Sequence, residues 1–270
     1  MLHHENREMY KVEALTKSYG EGSAYNEVIK DVNFTINSGE YFLIIGPSGS
    51  GKSTLLYLLA GLETPSRGSV HVRGQDIKFF DQNTMATFHR INIGIVYQSF
   101  HLLPSFTILE NVAFPLVLQG LRTKKREERA MEVLQRFGID ALADHLPSQV
   151  SGGQQQKAAI ARALINMPPI LLIDEPTGNL DTKSSQEVMD IIEMLHKQGG
   201  RTIIMVTHNT EFIKYSTRTI HIIDGKVYDK PSDIPSSSSP DLETMNLMEK
   251  IKANQDEDID EFMINPFDKM

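Results

Sequence analysis

The stretch GPSGSGKST, running Gly46, Pro47, Ser48, Gly49, Ser50, Gly51, Lys52, Ser53 and Thr54, holds residue types that grip phosphate. Gly49 and Gly51 let a backbone wrap a β-phosphate, Lys52 sets a compact charge against β- and γ-oxygens, and the Ser53 hydroxyl can ligate Mg²⁺. A second chemical pair closes the apolar run ILLIDEP, where Asp174 and Glu175 stand side by side. Side chains alternate along a strand, so the two carboxylates point differently and can hold separate jobs. Asp174 suits the ligand shell of Mg²⁺, and Glu175 suits a general base that orients and deprotonates an attacking water. His208, after TIIMVTH, and Gln98, in IVYQSFHLLP, end two further short apolar runs; the Gln98 amide can reach the metal or the water. A glycine turn at Ser151, Gly152 and Gly153 opens a helix, where bare N–H groups meet the positive end of the helix dipole, yet no lysine follows at nucleotide-gripping spacing. Tyr19 precedes the phosphate loop and fits either stacking on a purine or a half-buried place in the core.

These side chains need elements to aim them. Residues 9–38 alternate apolar and polar positions, as antiparallel strands do, around the loop GEGSAYN. YFLIIG is instead continuously apolar and reads as a buried strand feeding the helix KSTLLYLLAGL. RGSVHVRGQDI predicts a hairpin, and residues 84–167 read as a largely helical insertion with charged faces. PILLID, RTIIMVTH and RTIHII then alternate with the helix TKSSQEVMDIIEMLHKQG, the pattern of a mainly parallel sheet with crossover helices, and IIDGKVYD closes on Asp224-Gly225. The expected fold class is α/β, a phosphate-loop domain over residues 1–230 with an antiparallel β subdomain and an inserted helical subdomain.

With 270 residues, 40% of them apolar, the chain can bury a substantial core. The absence of cysteine excludes disulfides and thiol catalysis, and the remaining histidines show no metal-ligand spacing. No apolar run reaches the roughly 18–20 residues that cross a bilayer, so a cytoplasmic location is expected. Of the net charge of −8, residues 231–270 carry −7, from ten Asp/Glu against three Lys/Arg. Neither part offers the basic face that nucleic acid requires, so nucleic acid is not an expected partner.

Taken in order, the motifs resemble the ATP-binding cassette ATPases, the nucleotide-binding subunits of ABC transporters, over residues 9–230. Gly46–Ser53 matches Walker A, Gln98 the Q-loop, VSGGQ at 150–154 the signature, and Ile170–Asp174 Walker B with Glu175 behind it. NLDT at 179–182 matches the D-loop and His208 the switch histidine. Val150 and Lys157 depart mildly from the family's leucine and arginine. The resemblance implies ATP and Mg²⁺ as cofactors and a head-to-tail dimer in which Ser151, Gly152, Gly153 and Gln154 of one copy cap the γ-phosphate lying on Lys52 of the other. Asp181 then sits at the seam. It also implies an integral membrane permease as partner and a peripheral place on the inner membrane face. The wording of GIVYQSFHLLPSFTILENVAFPLVLQG and DEPTGNLDT is similar to the group of lipoprotein-releasing, macrolide-exporting and cell-division ATPases. On that resemblance Phe100, Leu102, Leu103 and Phe106 help to form the groove for a permease helix.

Three rivals differ in sequence terms. A soluble cassette for DNA repair or translation carries a long coiled coil or a second cassette, whereas Lys52 and Ser151 lie only 99 positions apart here. A dead regulatory subunit lacks the catalytic residues that this chain retains. The same engine driving a non-transport complex, such as a cell-envelope or cell-division regulator, stays open, since both uses share one cassette. Beyond the linker Ser236–Ser239, Ser239 can cap a helix with the stripe Leu242, Met245, Met248 and Ile251, and residues 231–270 read either as a solvated acidic tail or as a docking segment.

Overall fold

Residues 7–234 are described by the computed structural model. Alternating residues build two long antiparallel partners, β1 (Glu8–Tyr19) and β2 (Asn26–Asn37), whose register shifts several times through bulges. The chain then enters β3 (Tyr41–Ile45), buried at every residue, and α1 (Lys52–Ala60). It returns to the first layer as β4 (Arg67–Val72) and β5 (Gln75–Asp76), giving the order β2-β1-β4-β5.

The stretch expected to be largely helical begins with α2 (Gln82–Asn92), whose cap Asp81 accepts from the Thr84 N–H at 2.8 Å. Four apolar residues then form β6 (Ile93–Val96), which leaves the helices and pairs in parallel with the core sheet, Ile93 opposite Ile170. Three helices follow: α3 (Ile108–Val117), α4 (Thr123–Arg136) and α5 (Gly152–Leu164). The remainder alternates: β7 (Ile170–Asp174), α6 (Thr182–Gly199), β8 (Thr202–Thr207), β9 (Arg218–Ile223) and β10 (Lys226–Tyr228).

The core sheet runs β10-β9-β3-β8-β7-β6, parallel except for β10, which turns back at Asp224-Gly225 with φ of 49° and 79°. Two positive φ values are what a tight hairpin needs. Alternate residues of β3 face opposite cores. Tyr41, Leu43 and Ile45 pack with α3, α4, α5 and α6, whereas Phe42 and Ile44 pack with α1 and the antiparallel layer. A strand buried on both faces has no polar side, which is why these strands read as unbroken apolar runs. The expected α/β class with its antiparallel layer is the observed one. The Ser239 cap and the stripe from Leu242 to Ile251 lie outside the described residues.

Parallel strands end at one edge, and that edge gathers the chemistry: residues 46–54 follow β3, Gln98 follows β6, Glu175 follows β7 and His208 follows β8. Open α/β sheets bind ligands outside this carboxyl edge.

Candidate functional site

The loop after β3 is pressed against β2. Gly51, the residue before α1, has φ of 102°, and a Cβ there would lie 2.9 Å from Ile29 Cδ1 and 3.0 Å from the Val28 carbonyl oxygen. Only glycine fits that turn without strain. Lys52 opens α1 almost wholly buried, and its Nζ donates to the Pro47 carbonyl at 2.8 Å. The lysine is thereby folded across its own loop.

Ser53 and Asp174 are joined directly, the Ser53 hydroxyl donating to Asp174 Oδ1 at 2.9 Å. The other carboxylate oxygen, Oδ2, accepts from the Tyr57 hydroxyl at 2.9 Å. Burial pushes the Asp174 carboxyl above its usual range, and the two donated hydrogen bonds oppose that shift. Burial, followed by the charge of Asp174, raises the Tyr57 hydroxyl in turn, so Tyr57 remains a donor. Sequence reading missed Tyr57. It stands four residues after Ser53 on α1, and residues at i and i+4 share a helix face, so the signal was present.

Glu175 departs from its neighbour as alternation requires, and more sharply, because its own φ is 41°. Its N–H donates to the Val206 carbonyl at 3.0 Å. The side chain lies with Oε1 3.5 Å from Lys52 Nζ and Oε2 2.8 Å from His208 Nδ1. A carboxylate only accepts, so Nδ1 carries the proton of this bond. Lys52, Ser53, Tyr57, Asp174, Glu175 and His208 thus form one group drawn from three elements.

Gln98 lies beside it. Its Nε2 is 2.9 Å from where a Gly178 Cβ would be, and its backbone carbonyl accepts from Asn179 Nδ2 at 3.2 Å. Behind it, Phe100 and His101 hold φ of 60° and 49°, and their carbonyls accept from Arg162 Nη2 at 2.8 Å and Nη1 at 2.6 Å. Left-handed backbone at such residues costs on the order of 1–3 kcal/mol each, which the guanidinium fork offsets. Nothing in the helix pattern of residues 152–164 marked Arg162 for this task.

The second glycine turn is built differently. Ser151 caps α5, its hydroxyl accepting from the Gln154 N–H at 3.3 Å while Gln154 Oε1 accepts from the Ser151 N–H at 2.8 Å. This capping box leaves the Gly152 and Gly153 N–H groups without an intrahelical partner. A Cβ on Gly153 would lie 2.8 Å from Ser184, so the start of α5 abuts the start of α6. Asp181 caps α6, accepting from the Ser184 N–H at 2.9 Å and the Ser184 hydroxyl at 2.7 Å. Those bonds hold the Asp181 carboxyl below its usual range. Among the described residues, no hydrogen bond joins residues 151–154 to residues 46–54.

Tyr19 ends β1, 41% exposed, with Lys17 Nζ 4.9 Å above its ring. Its register partner is Asn26, two positions before the Val28 that packs on Gly51. Tyr19 is therefore a partly exposed ring at the end of β1, on the strand paired with the one that packs on Gly51.

Ser53 and Asp174 supply adjacent hard oxygen donors, which fit Mg²⁺. Among the described residues no cluster of three or more His, Cys, Asp or Glu could hold a metal by itself. Mg²⁺ keeps waters and shares substrate phosphates, so a two-donor site suits it.

A groove of about 610 Å³ opens between α2, α3 and α5, lined by Tyr97, His101, Phe114, Pro115, Leu118 and Arg162. Leu118 is 70% exposed. Phe100, Leu102, Leu103 and Phe106, expected to form such a groove, do not line it. Leu102 packs against the core, and Phe106 meets Phe114 edge to face at 5.7 Å. No helix among the described residues is long and apolar enough to cross a membrane.

Residues 29–178 match the family model described as ABC transporter. The lipoprotein-releasing system ATP-binding protein LolD of Geobacter metallireducens is 43% identical over 219 residues, covering 81% of this chain and 97% of its own. An ABC transporter ATP-binding protein of Thermotoga maritima is 44% identical over 211 residues, covering 78% and 90%. Among solved structures, the dimeric post-hydrolysis ATP-binding cassette MJ0796 bound to ADP and Pi superposes with a TM-score of 0.76 at 39% identity, covering 81% and 96%.

Proposed function

The chain belongs to the ABC transporter family of ATP-binding cassettes, an ATPase family, and from that premise we propose that two copies close around ATP to drive a membrane permease. The observation that carries this reading is the contrast between two glycine turns. One sets Lys52 beside Glu175 and Ser53 on Asp174, with His208 held on Glu175, and the other presents two free N–H groups and no cation. A helix N-terminus of the second kind suits a phosphate already gripped elsewhere.

In the proposed site the loop 46–51 wraps the phosphates and Lys52 turns from Pro47 and Glu175 toward them. Tyr19 stacks on the base. Ser53 and Asp174 would hold Mg²⁺, which when bound would offset phosphate charge. Glu175 accepts a proton from the attacking water, His208 keeps that carboxylate aimed, and Gln98 orients the water or meets the metal. Ser151, Gly152, Gly153 and Gln154 of the second copy cap the γ-phosphate, and Asp181 fixes the seam beside them. The LolD-like relative and the dimeric, ADP- and Pi-bound MJ0796 support this arrangement. The groove around Phe114 and Leu118 takes a short permease helix, which places the protein on the inner membrane face. Residues 1–230 form the cassette in this reading.

Gel filtration of the Glu175→Gln variant with ATP and Mg²⁺ tests the dimer: a species of doubled mass supports it, and a monomer at saturating ATP overturns it. Purifying the detergent-solubilised complex and identifying the bound integral membrane protein tests the permease.

A further inference from the structure

A second groove of about 610 Å³ lies far from the nucleotide edge, between α4, the end of α5 and the end of α6. Its floor is apolar: Phe137, Leu164 and Ile165 are buried, Met194 and Leu195 are half-buried, and Met167 on the rim is 66% exposed. Its rim is cationic. Arg129, Arg136 and Arg201 face a single lining carboxylate, Glu132. Among the described residues none of the three arginines forms an ion pair, and Arg201 Nε is buried without a hydrogen-bond partner. An apolar trough with unpaired guanidiniums along it is matched by an acidic segment that ends in large apolar side chains.

The chain owns such a segment. Residues 256–261, DEDIDE, hold five carboxylates, and Phe262, Met263, Ile264 and Phe267 follow at once. The fold also releases the chain at the right edge. β10 runs antiparallel to β9, and Asp229, just beyond it, accepts from Arg218 at the start of β9 at 3.1 Å. That is the edge at which β8 begins with Thr202, directly after Arg201. β9 and β3 lie between β10 and β8, so the two points are three strand spacings apart, roughly 14 Å. The residues between Asp233 and Phe262 span up to about 90 Å when extended, which is ample.

We infer that residues 256–267 of this chain dock in the groove between α4, α5 and α6, their carboxylates on Arg129 and Arg136 and their phenylalanines on the apolar floor. The inference stands independently of the dimer and the permease. A segment tethered this way acts at an effective concentration on the order of a millimolar, so even weak contacts hold it in place.

The absence of native cysteine permits a clean test on the full chain. Met167→Cys with Met263→Cys is oxidised and compared with Leu118→Cys with Met263→Cys, which probes the other exposed groove. The expected result is a disulfide within one chain for the Met167 pair, unchanged on tenfold dilution and formed in at least about fivefold higher yield than for the Leu118 pair, with yield lost when Arg129→Glu and Arg136→Glu are added. Equal yields at the two positions, a dilution-sensitive disulfide between two chains, or a yield indifferent to the arginine reversals would each overturn the assignment.

Discussion

The phosphate loop and the signature turn begin alike, with small residues opening a helix, and end as opposites. Around Lys52 the fold supplies an ordered set of partners: Pro47 and Glu175 for the amine, Asp174 for Ser53, and Tyr57 and His208 at the flanks. Around Gly152 the side chains look inward, with Ser151 and Gln154 satisfying each other and Gly153 packed on Ser184. One turn stands among charged and hydroxyl partners of its own chain, and the other presents backbone N–H groups at a helix start. The difference shows that two small-residue turns at helix starts acquire different surroundings from what the fold places beside them.

Breaking the equipped turn gives the largest effect. Glu175→Gln removes the proton acceptor while keeping the shape, and the phosphate-release rate falls by about 10²–10⁴. A rate within a factor of two of the parent would refute the assigned base. Breaking the bare turn separates binding from turnover. Gly152→Asp sets a carboxylate where a phosphate is to lie, so hydrolysis falls on the order of 10²-fold, while nucleotide affinity in dilute monomer, followed by fluorescence, stays unchanged. Equal loss of both would show that the second turn belongs to the same copy's site.

Smaller changes sharpen the contrast. Tyr57→Phe leaves Asp174 Oδ2 without its donor, a charged hydrogen bond with a net contribution of about 1.5–3 kcal/mol. The half-activating Mg²⁺ concentration rises roughly tenfold and the melting temperature drops, with ATP-driven dimerisation retained in the Glu175→Gln background. An unaltered Mg²⁺ titration would remove Tyr57 from the site. Tyr19→Ala removes a stacking face worth about 1 kcal/mol, so nucleotide affinity weakens some fivefold with little change in turnover at saturation. Binding assays comparing Tyr19→Phe, which keeps the face, complete that test.

The sequence alone carried the catalytic residue types in their order, and the unbroken apolar runs carried the two-faced burial of the core strands. It also carried the tight turn at Asp224-Gly225, a chemically marked pair. These features are local: each is written within a few consecutive residues, as a turn, a cap or a strand period. Tertiary structure decided the rest. It drew β6 out of a helical stretch and set it beside β7, made Arg162 the support of the Phe100–His101 backbone, and opened a groove lined by Phe114 and Leu118. Each of those depends on side chains distant along the chain meeting across packed elements, and no local period or turn chemistry records which distant residue will be the neighbour.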